Sequence, residues 1–529
     1  MNAPRQRLHL PVAILVLLGI VLGTYWPVLR NQFVDFDDQT EIYQNPDFNP
    51  VTARRVAWNW SHTRMTLYMP LTYTVWGGVA AISPREAHGT LTAWPFHALN
   101  LALHAACVLL VFLLLRQLGM TTISAAFGAA VFAVHPMQTE AIAWASGMYT
   151  LLGAALALGA MIVYLRSGDG SRSRASRVAL YALATAMYVA ALLSKAAMAA
   201  TPLVAIAIDL LVLRRRPRRT IIAMLPWIIL SLVAAFVARS FQSAAQVAHV
   251  SLPGRALVAL DAIGFYVGKL LWPAQLAPDY GRNPNWVMHH LASAAIAAVG
   301  ALVLLLLAIS LAKRGRWWSA GIFIFVAGLS PYLGLVPFDF QPVTTVADRY
   351  AYFGIIGVAL LAALAARWRS GRILLVAALL IWSMLSWRQA DRWHDSQRLF
   401  EHTLSVNPDS IVAQTVLAFE ARRDGRFNEA EQRYLRVLQI WPDDAAALFN
   451  LGNLYLATNR LPQAVEMFDR ATRALPSNAQ MHNNYGVALA RLGDRAAAAR
   501  QFQAAIDLNP DWPDPRRSLA KLRSTSTQP

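Results

Sequence analysis

Residues 445–478, AAALFNLGNLYLATNRLPQAVEMFDRATRALPSN, and residues 479–512, AQMHNNYGVALARLGDRAAAARQFQAAIDLNPDW, carry one pattern twice. Leu451, Gly452, Tyr455, Ala464, Phe468, Ala471 and Pro476 of the first return as Tyr485, Gly486, Leu489, Ala498, Phe502, Ala505 and Pro510 of the second. A weaker copy over 411–444 keeps Leu417, Ala430, Tyr434 and Pro442, with Ala418 and Ala421 in place of the glycine and the tyrosine. Pro408, Pro442, Pro476 and Pro510 stand 34 residues apart. Small residues let two helices approach closely, large ones fill the gap between them, and proline ends the second helix. The pattern therefore predicts one helix pair per repeat.

A period of 34 with this signature is that of the tetratricopeptide repeat. Three units and a terminal helix near residues 515–522 are enough for a short α-solenoid over 409–523. Residues 389–408 are read as a linker or first helix, and 524–529 as a disordered tail. The repeats are expected to bind a protein or peptide and to do no chemistry themselves.

The remainder of the chain has a different solvent. Hydrophobic residues make up 56% of the 529 and charged residues only 14%, and mean hydropathy is positive. That composition implies a multispanning membrane protein lying in a lipid bilayer. The net charge of +18 would suggest nucleic acid in a soluble protein. Here the basic residues sit in short loops between apolar runs, where they set topology, so no nucleic-acid partner is expected. The single cysteine, Cys107, excludes an intrachain disulfide. Arg5 and Arg7 precede an apolar run over 8–28 without a small-residue cleavage site, which reads as an uncleaved first span.

Eleven spans can be placed, at 8–28, 96–115, 121–134, 148–165, 178–194, 197–213, 220–238, 291–312, 319–336, 351–366 and 373–388. The basic clusters Arg5/Arg7, Arg116, Arg166 to Arg177, Arg214 to Arg219, Lys313 to Arg316 and Arg367 to Arg372 then all fall on one side. Positive loops stay in the cytoplasm, so the N-terminus is expected inside and the repeats outside. Residues 255–277 are apolar enough to span, but counting them would put Lys313–Arg316 on the wrong side. They are read as lying on or dipping into the outer leaflet. The alanine- and arginine-rich composition points to a bacterial inner membrane.

The acids are distributed oppositely. Of thirteen before residue 389, only Asp169 and Asp209 fall near the cytoplasmic face, and Asp35, Asp37, Asp38, Glu41 and Asp47 crowd one outer loop, 29–95. Carboxylates gathered at one membrane face mark a candidate site, and the adjacent pair Asp37–Asp38 is its sharpest feature.

These residues also resemble a known family. Phe36-Asp37-Asp38-Gln39-Thr40-Glu41-Ile42-Tyr43-Gln44-Asn45-Pro46 is similar to the aromatic-Asp-Asp…Asn-Pro first-loop motif of the transmembrane-and-tetratricopeptide O-mannosyltransferase-like proteins. Tyr68-Met69-Pro70-Leu71-Thr72, Phe96-His97-Ala98-Leu99-Asn100 with His104, and His135-Pro136-Met137-Gln138-Thr139-Glu140 follow in the family's order. Leu193-Ser194-Lys195, Gly268-Lys269-Leu270-Leu271-Trp272-Pro273, Ala347-Asp348-Arg349-Tyr350 and Trp393-His394-Asp395-Ser396 complete the series. The resemblance implies an all-α protein: a polytopic GT-C-like membrane body with about eleven spans over 1–388, followed by the solenoid. It also implies a glycosyltransferase that moves a sugar from a polyprenyl-phosphate-linked donor to an acceptor outside the cytoplasm. Mannose is the sugar associated with the family. Two family cations are absent: Met69 stands where Tyr-Arg-Pro is usual, and Ser146-Gly147 is followed by Met148, Tyr149 and Thr150 instead of an arginine and an aspartate.

Glycosyl transfer needs a base for the acceptor hydroxyl and a partner for the departing phosphate. Asp37 or Asp38 is the candidate base, because two adjacent carboxylates in a partly desolvated site cannot easily both ionise. The same pair could instead hold a divalent cation, magnesium or manganese. Lys195, Lys269 and Arg349 are the phosphate candidates. Arg349 leads, since guanidinium binds two oxygens at once and Asp348 and Tyr350 flank it at the outer mouth. His135 and Glu140 could orient substrate hydroxyls or simply cap local structure. His97 and His104 are expected to make interhelical hydrogen bonds rather than bind metal. Two further readings stay open: a non-catalytic membrane-anchored scaffold for envelope proteins, and transport of a lipid or sugar, for which the expected symmetry between half-chains is not found.

Overall fold

The structure, a computed structural model, describes residues 3–48, 50–64, 67–86, 89–241 and 250–524, with the backbone alone for 3–9. Its only β features among these residues are isolated bridges at Phe48–Val51, Arg64–Leu67 and Arg85–Leu91. Everything else of regular form is helical. The expected tail at 524–529 falls, beyond Ser524, outside the described residues.

The chain divides into two compact units, 1–399 and 400–529. The first contains α1 (Ala3–Tyr25), α2 (Ala53–Trp58), α3 (Pro70–Ile82), α4 (Trp94–Gln117), α5 (Thr122–Val134), α6 (Thr139–Ala143), α7 (Met148–Ser167) and α8 (Arg174–Ser194). It continues with α9 (Thr201–Ala207), α10 (Pro217–Phe241), α11 (Leu252–Leu271), α12 (Pro284–His289), α13 (Leu291–Arg314), α14 (Arg316–Leu329), α15 (Ile355–Ala365) and α16 (Arg369–Arg392). The division falls within α17 (Ser396–Val406).

Seven helical segments among the described residues are long and apolar enough to cross a membrane: 10–30, 94–117, 145–167, 174–194, 217–241, 291–314 and 369–392. Shorter apolar helices lie at 122–134, 196–212 and 355–365. The surface is inverted relative to a soluble protein. Leu225, Ile229, Leu232 and Phe236 of α10, Leu302, Val303 and Leu306 of α13, and Ile373, Leu374 and Leu380 of α16 all face outward. Exposed apolar faces this extensive belong in lipid, and the first unit is that of an integral membrane protein.

Two boundaries differ from the sequence reading. The segment 29–95, expected as an outer loop, contains α2 and α3, and α3 buries Tyr73 and Trp76 in an apolar cluster with Met69, Phe96 and Met148. Its helix was hidden because Gly77 and Gly78 and the β-branched Thr72, Thr74 and Val75 lower its local propensity, and tertiary burial overrides them. Residues 389–392 are the end of α16, three residues separate it from α17, and α17 is the first helix that 389–408 was read to allow. The segment read as lying on the outer leaflet contains α11, which packs along α13 with Gly264 against the backbone of Ala297.

The second unit is built as the 34-residue period predicts. Helix pairs α18 (Ile411–Arg423) with α19 (Phe427–Ile440), α20 (Ala445–Ala457) with α21 (Leu461–Ala474), and α22 (Ala479–Leu492) with α23 (Arg495–Leu508) precede a last helix, α24 (Pro513–Ser524). Ser410, Asp444 and Asn478, again 34 apart, cap α18, α20 and α22 by accepting from the backbone N–H groups of Ala413, Ala447 and Met481; each cap satisfies a donor the helix cannot. Phe468 packs on Gly452 and Phe502 on Gly486 at the same position of successive pairs.

In the membrane unit, α14 and α15 meet backbone to backbone. A Cβ on Gly357 would collide with the carbonyl oxygen of Gly321 and lie 2.6 Å from the backbone nitrogen of Phe325. Gly357→Ala is therefore expected to lower the thermal stability of the solubilised protein by about 1–3 kcal/mol, the usual penalty for overpacking. Gly300→Ala on α13, where a Cβ meets nothing within 4 Å, should not lower the melting temperature, since alanine favours the helix more than glycine does. Equal melting of both variants and the parent would disprove the close contact.

Candidate functional site

The loop after α1 is held in place by hydrogen bonds to residues 390–396. Asn31 Nδ2 donates to the carbonyl of Ala390 at 3.1 Å, Gln32 N to that of His394 at 2.8 Å, and Asp35 N to Ser396 Oγ at 2.8 Å. Asp38 is fully buried. Its Oδ2 accepts from Val34 N at 3.0 Å, and its Oδ1 accepts from Ser146 N at 2.9 Å and Ser146 Oγ at 2.5 Å. It thus ties the first loop to the turn that opens α7.

The two adjacent aspartates therefore serve differently. Asp38 has three donors and is committed to structure. Asp37 is half-buried; burial, partly offset by the positive charge of Arg349, pushes its carboxyl up to about 6. Its neighbour in the site is Glu41, one turn on, whose N–H donates to the Asp37 carbonyl at 2.8 Å. Burial and the charge of Asp37 push Glu41 up to about 7. Burial also lifts Asp38 to about 7, against the donors from Ser146 and Val34. As a cation ligand Asp38 is already taken up by its three donors, and among the described residues no three His, Cys, Asp or Glu side chains gather.

Arg349 sits in a short turn of helix, Asp348–Tyr350, and is buried. Its backbone N–H donates to Glu140 Oε2 at 2.9 Å, and its Nη1 pairs with Glu140 Oε1. Glu140 enters from α6, equally buried. The guanidinium is ringed by Phe340 at 4.9 Å, Tyr350 at 4.8 Å, Trp144 at 5.4 Å and Phe36 at 5.7 Å. Aromatic faces attract a cation and lower the cost of burying it. Arg349 is thus engaged by Glu140, a commitment its sequence motif did not reveal.

Lys195, at the end of α8, is also buried, yet among the described residues its Nζ has one hydrogen-bond acceptor, Thr150 Oγ1 at 2.7 Å. It lies 4.5 Å from the ring of Tyr149 and 5.4 Å from that of Tyr332. Burial and the like charge of Arg349 lower its pKa, and Glu140 opposes them. An ammonium has three donors, so Lys195 keeps capacity for an anion. Tyr332 stacks on Tyr350 at 3.9 Å, which joins the lysine and arginine sides of the cluster.

The remaining candidates stand at the edge. Asp348 accepts from Tyr280 Oη at 2.8 Å; burial, reinforced by Glu140, raises its pKa. Lys269 Nζ donates to the carbonyls of Ala274 at 2.7 Å and Gln275 at 3.1 Å, closing the chain beyond α11. His135 is turned away from the cluster. Its Nδ1 accepts from Met137 N at 3.4 Å, its Nε2 donates to the carbonyl of Leu270 at 3.3 Å, and burial lowers it to about 4. It is a neutral capping residue. His104 bridges helices, with Nε2 donating to the Ala133 carbonyl at 3.0 Å and Nδ1 accepting from Tyr352 Oη at 2.8 Å.

The structure thus brings Asp37, Glu140, Lys195, Arg349 and Tyr350 into one cluster and adds Trp144, Tyr149 and Tyr332, which sequence reasoning did not place there, while Glu41, one of the five acids of the first loop, lies beside Asp37. For Glu41 a signal existed: the i, i+4 spacing from Asp37 puts both on one face of any helical turn. Met69 and Met148, standing where the family carries cations, pack together in the apolar cluster of α3. Among the described residues Trp144 Nε1 and Tyr332 Oη, on rings beside Arg349 and Lys195, are buried without a hydrogen-bond partner. Buried polar groups are nearly always satisfied, so these two are candidates for contact with a polar ligand.

Comparison with known proteins agrees with this division of the chain. Residues 421–485 and 479–511 match models of the tetratricopeptide repeat. The chain is related over most of its length to proteins named protein O-mannosyl-transferases. It is 24% identical to mouse TMTC3 over 97% of this chain and 62% of that one, and 24% identical to Caenorhabditis elegans F38B6.6 over 81% and 63%. A stretch covering 29% of this chain and 17% of human TMTC3 is 31% identical. The chain spans less than two thirds of the length of these curated relatives.

Removing one member of the central ion pair should be costly. Glu140→Gln leaves Arg349 without its counter-charge and is expected to destabilise the solubilised protein by about 3–5 kcal/mol. Glu140→Gln combined with Arg349→Met should recover part of that loss. A melting curve unchanged by Glu140→Gln would show that the pair does not hold the two loops.

Proposed function

We propose that this chain is a membrane glycosyltransferase that moves a mannosyl-type sugar from a polyprenyl-phosphate-linked donor to a hydroxyl of a protein acceptor on the extracytoplasmic side. One observation carries the reading: a carboxylate raised by burial, a buried lysine with donors to spare and two unsatisfied ring groups, Trp144 Nε1 and Tyr332 Oη, surround Arg349 and its stacked aromatic rings. The relatives' names supply the sugar and the acceptor class. The side of the membrane rests on the six basic loops. The repeats are the module that would grip the acceptor.

In this reading the acceptor oxygen attacks the anomeric carbon as the bond from that carbon to the phosphate oxygen breaks. The phosphate leaves with the electron pair. Asp37 takes the hydroxyl proton; its raised pKa makes it a better base than an ordinary aspartate near neutral pH. Lys195 rather than Arg349 receives the phosphate, because Arg349 is already paired with Glu140. Tyr149, Tyr332 and Tyr350 offer flat faces and hydroxyls for the sugar. Were a divalent ion such as magnesium or manganese bound, Asp37 and Glu41 would be its oxygen ligands, and it would offset charge on the departing phosphate. The second reading, a membrane-anchored scaffold without activity, draws on Met69 and Met148, which replace the family's cations with apolar packing.

Transfer of labelled mannose from polyprenyl-phosphate mannose to protein in membrane vesicles separates the two. A base must be deprotonated, so the rate should rise with pH through about 6, where Asp37 ionises. Asp37→Asn should cost about 10²–10⁴-fold in rate without lowering the melting temperature at pH 8, because it removes a carboxylate whose ionised form burial disfavours. Lys195→Met should raise KM for the donor. Full activity in Asp37→Asn eliminates the proposed base, and no transfer by the parent chain under any condition leaves the scaffold.

A further inference from the structure

The helix that begins at the candidate site ends at a second polar feature. α7 carries Tyr149 and Thr150 at its start and Tyr164 and Ser167 at its end, and twenty residues of helix extend about 30 Å. At that far end lies a cavity of about 450 Å³, its polar wall formed by Arg174, Arg177, Arg215, Arg219, Tyr164 and Asp209. A neighbouring hollow lined by Arg216, Arg218, Arg219, Ile222 and Ala223 shares Arg219 with it.

The charges in this cavity are unequal. Asp209, fully buried, takes Tyr164 Oη at 2.6 Å, Arg215 Nη1 at 2.9 Å and Thr220 Oγ1 at 3.3 Å. It neutralises Arg215, whose guanidinium lies so close to Gly168 that a Cβ there would collide with it. Among the described residues Arg174, Arg177 and Arg219 have no carboxylate partner. Topology alone requires positive loops, not guanidiniums converging on one concavity with a carboxylate-fixed arginine at its base. The cavity's other wall is apolar: Val178 and Ala223 line it, Ile222 lines its neighbour, and Val178 and Ile222 face outward toward lipid.

We infer that this cavity binds the phosphate group of an anionic lipid, at the end of α7 opposite the Asp37–Lys195 cluster. Guanidiniums pair two oxygens of a phosphate at once, and the adjoining apolar wall receives the tail. The inference is independent of the proposed transfer reaction: it needs the arginines, not the carboxylates.

The test titrates phosphatidic acid onto the purified full chain in neutral detergent and counts bound lipid by native mass spectrometry, with phosphatidylcholine as the reference. Arg177→Gln/Arg219→Gln should weaken phosphatidic acid binding at least about tenfold, the loss of charge-assisted hydrogen bonds. Arg166→Gln/Arg172→Gln removes the same charge from residues that do not line the cavity and should bind as the parent does. Arg177→Lys/Arg219→Lys, which keeps the charge should the glutamine pair fail to fold, should bind more weakly than the parent. Equal losses in the two glutamine pairs, or none in either, would overturn the site. Displacement of the lipid by an equal concentration of inorganic phosphate would overturn the lipid as its ligand.

Discussion

The buried pair of Glu140 and Arg349 is the interaction on which the mouth of the membrane unit depends. It joins the connection before α7 to the connection before α15, segments more than two hundred residues apart in sequence. Two isolated charges this far from water would be prohibitively expensive. The pair survives because Glu140 meets both the backbone N–H and the guanidinium of Arg349, and because four rings close around the cation. With those loops fixed, Trp144 and Tyr350 are fixed, and through them the stacked Tyr332. The ring cluster that would receive a ligand is a consequence of the ion pair.

The same economy governs the irregular backbone around it. A chain that leaves helical geometry near the hydrocarbon must find partners for every exposed carbonyl and N–H. Asn100 donates to the carbonyl of Trp144 at 2.7 Å, Ser386 to Val134 at 2.8 Å, Gln389 to Leu276 at 3.0 Å, and Thr72 to Ser194 at 3.0 Å. Tyr266 Oη both donates to the Ala347 carbonyl and accepts from its N–H. Asn100, His104, Asp38 and Ser396 all belong to the strings that resemble the O-mannosyltransferase-like family, and all four act here on backbone or neighbouring side chains. Much of what is distinctive in those strings holds loops still. Fewer of the residues keep polar groups without a fixed structural partner; Lys195, with one acceptor among the described residues, is one of them.

This explains which parts of the molecule were legible in its sequence. The solenoid was, down to its caps: Ser410, Asp444 and Asn478 follow the prolines by two residues because each turn repeats the same geometry. The long spans were legible because apolar length is a property of composition. The division of labour within Asp37–Asp38 was not. Adjacent side chains in a turn point along different directions set by backbone dihedrals, and no residue type reports those. Nor could the motif Ala347-Asp348-Arg349-Tyr350 show that its arginine is already paired, since the partner lies across the fold at Glu140. Glu41 was within reach of pattern reasoning, but its acidic neighbours made it one of five.

The distribution of charge along α7 gives the membrane unit its polarity. The buried charges differ between its two ends. At one end Glu140 pairs with Arg349, with Asp37 and Lys195 beside them. At the other, arginines outnumber a single carboxylate, Asp209, that is saturated by Arg215, Tyr164 and Thr220, and their charge does not change at any physiological pH. A helix of about 30 Å separates the two groups.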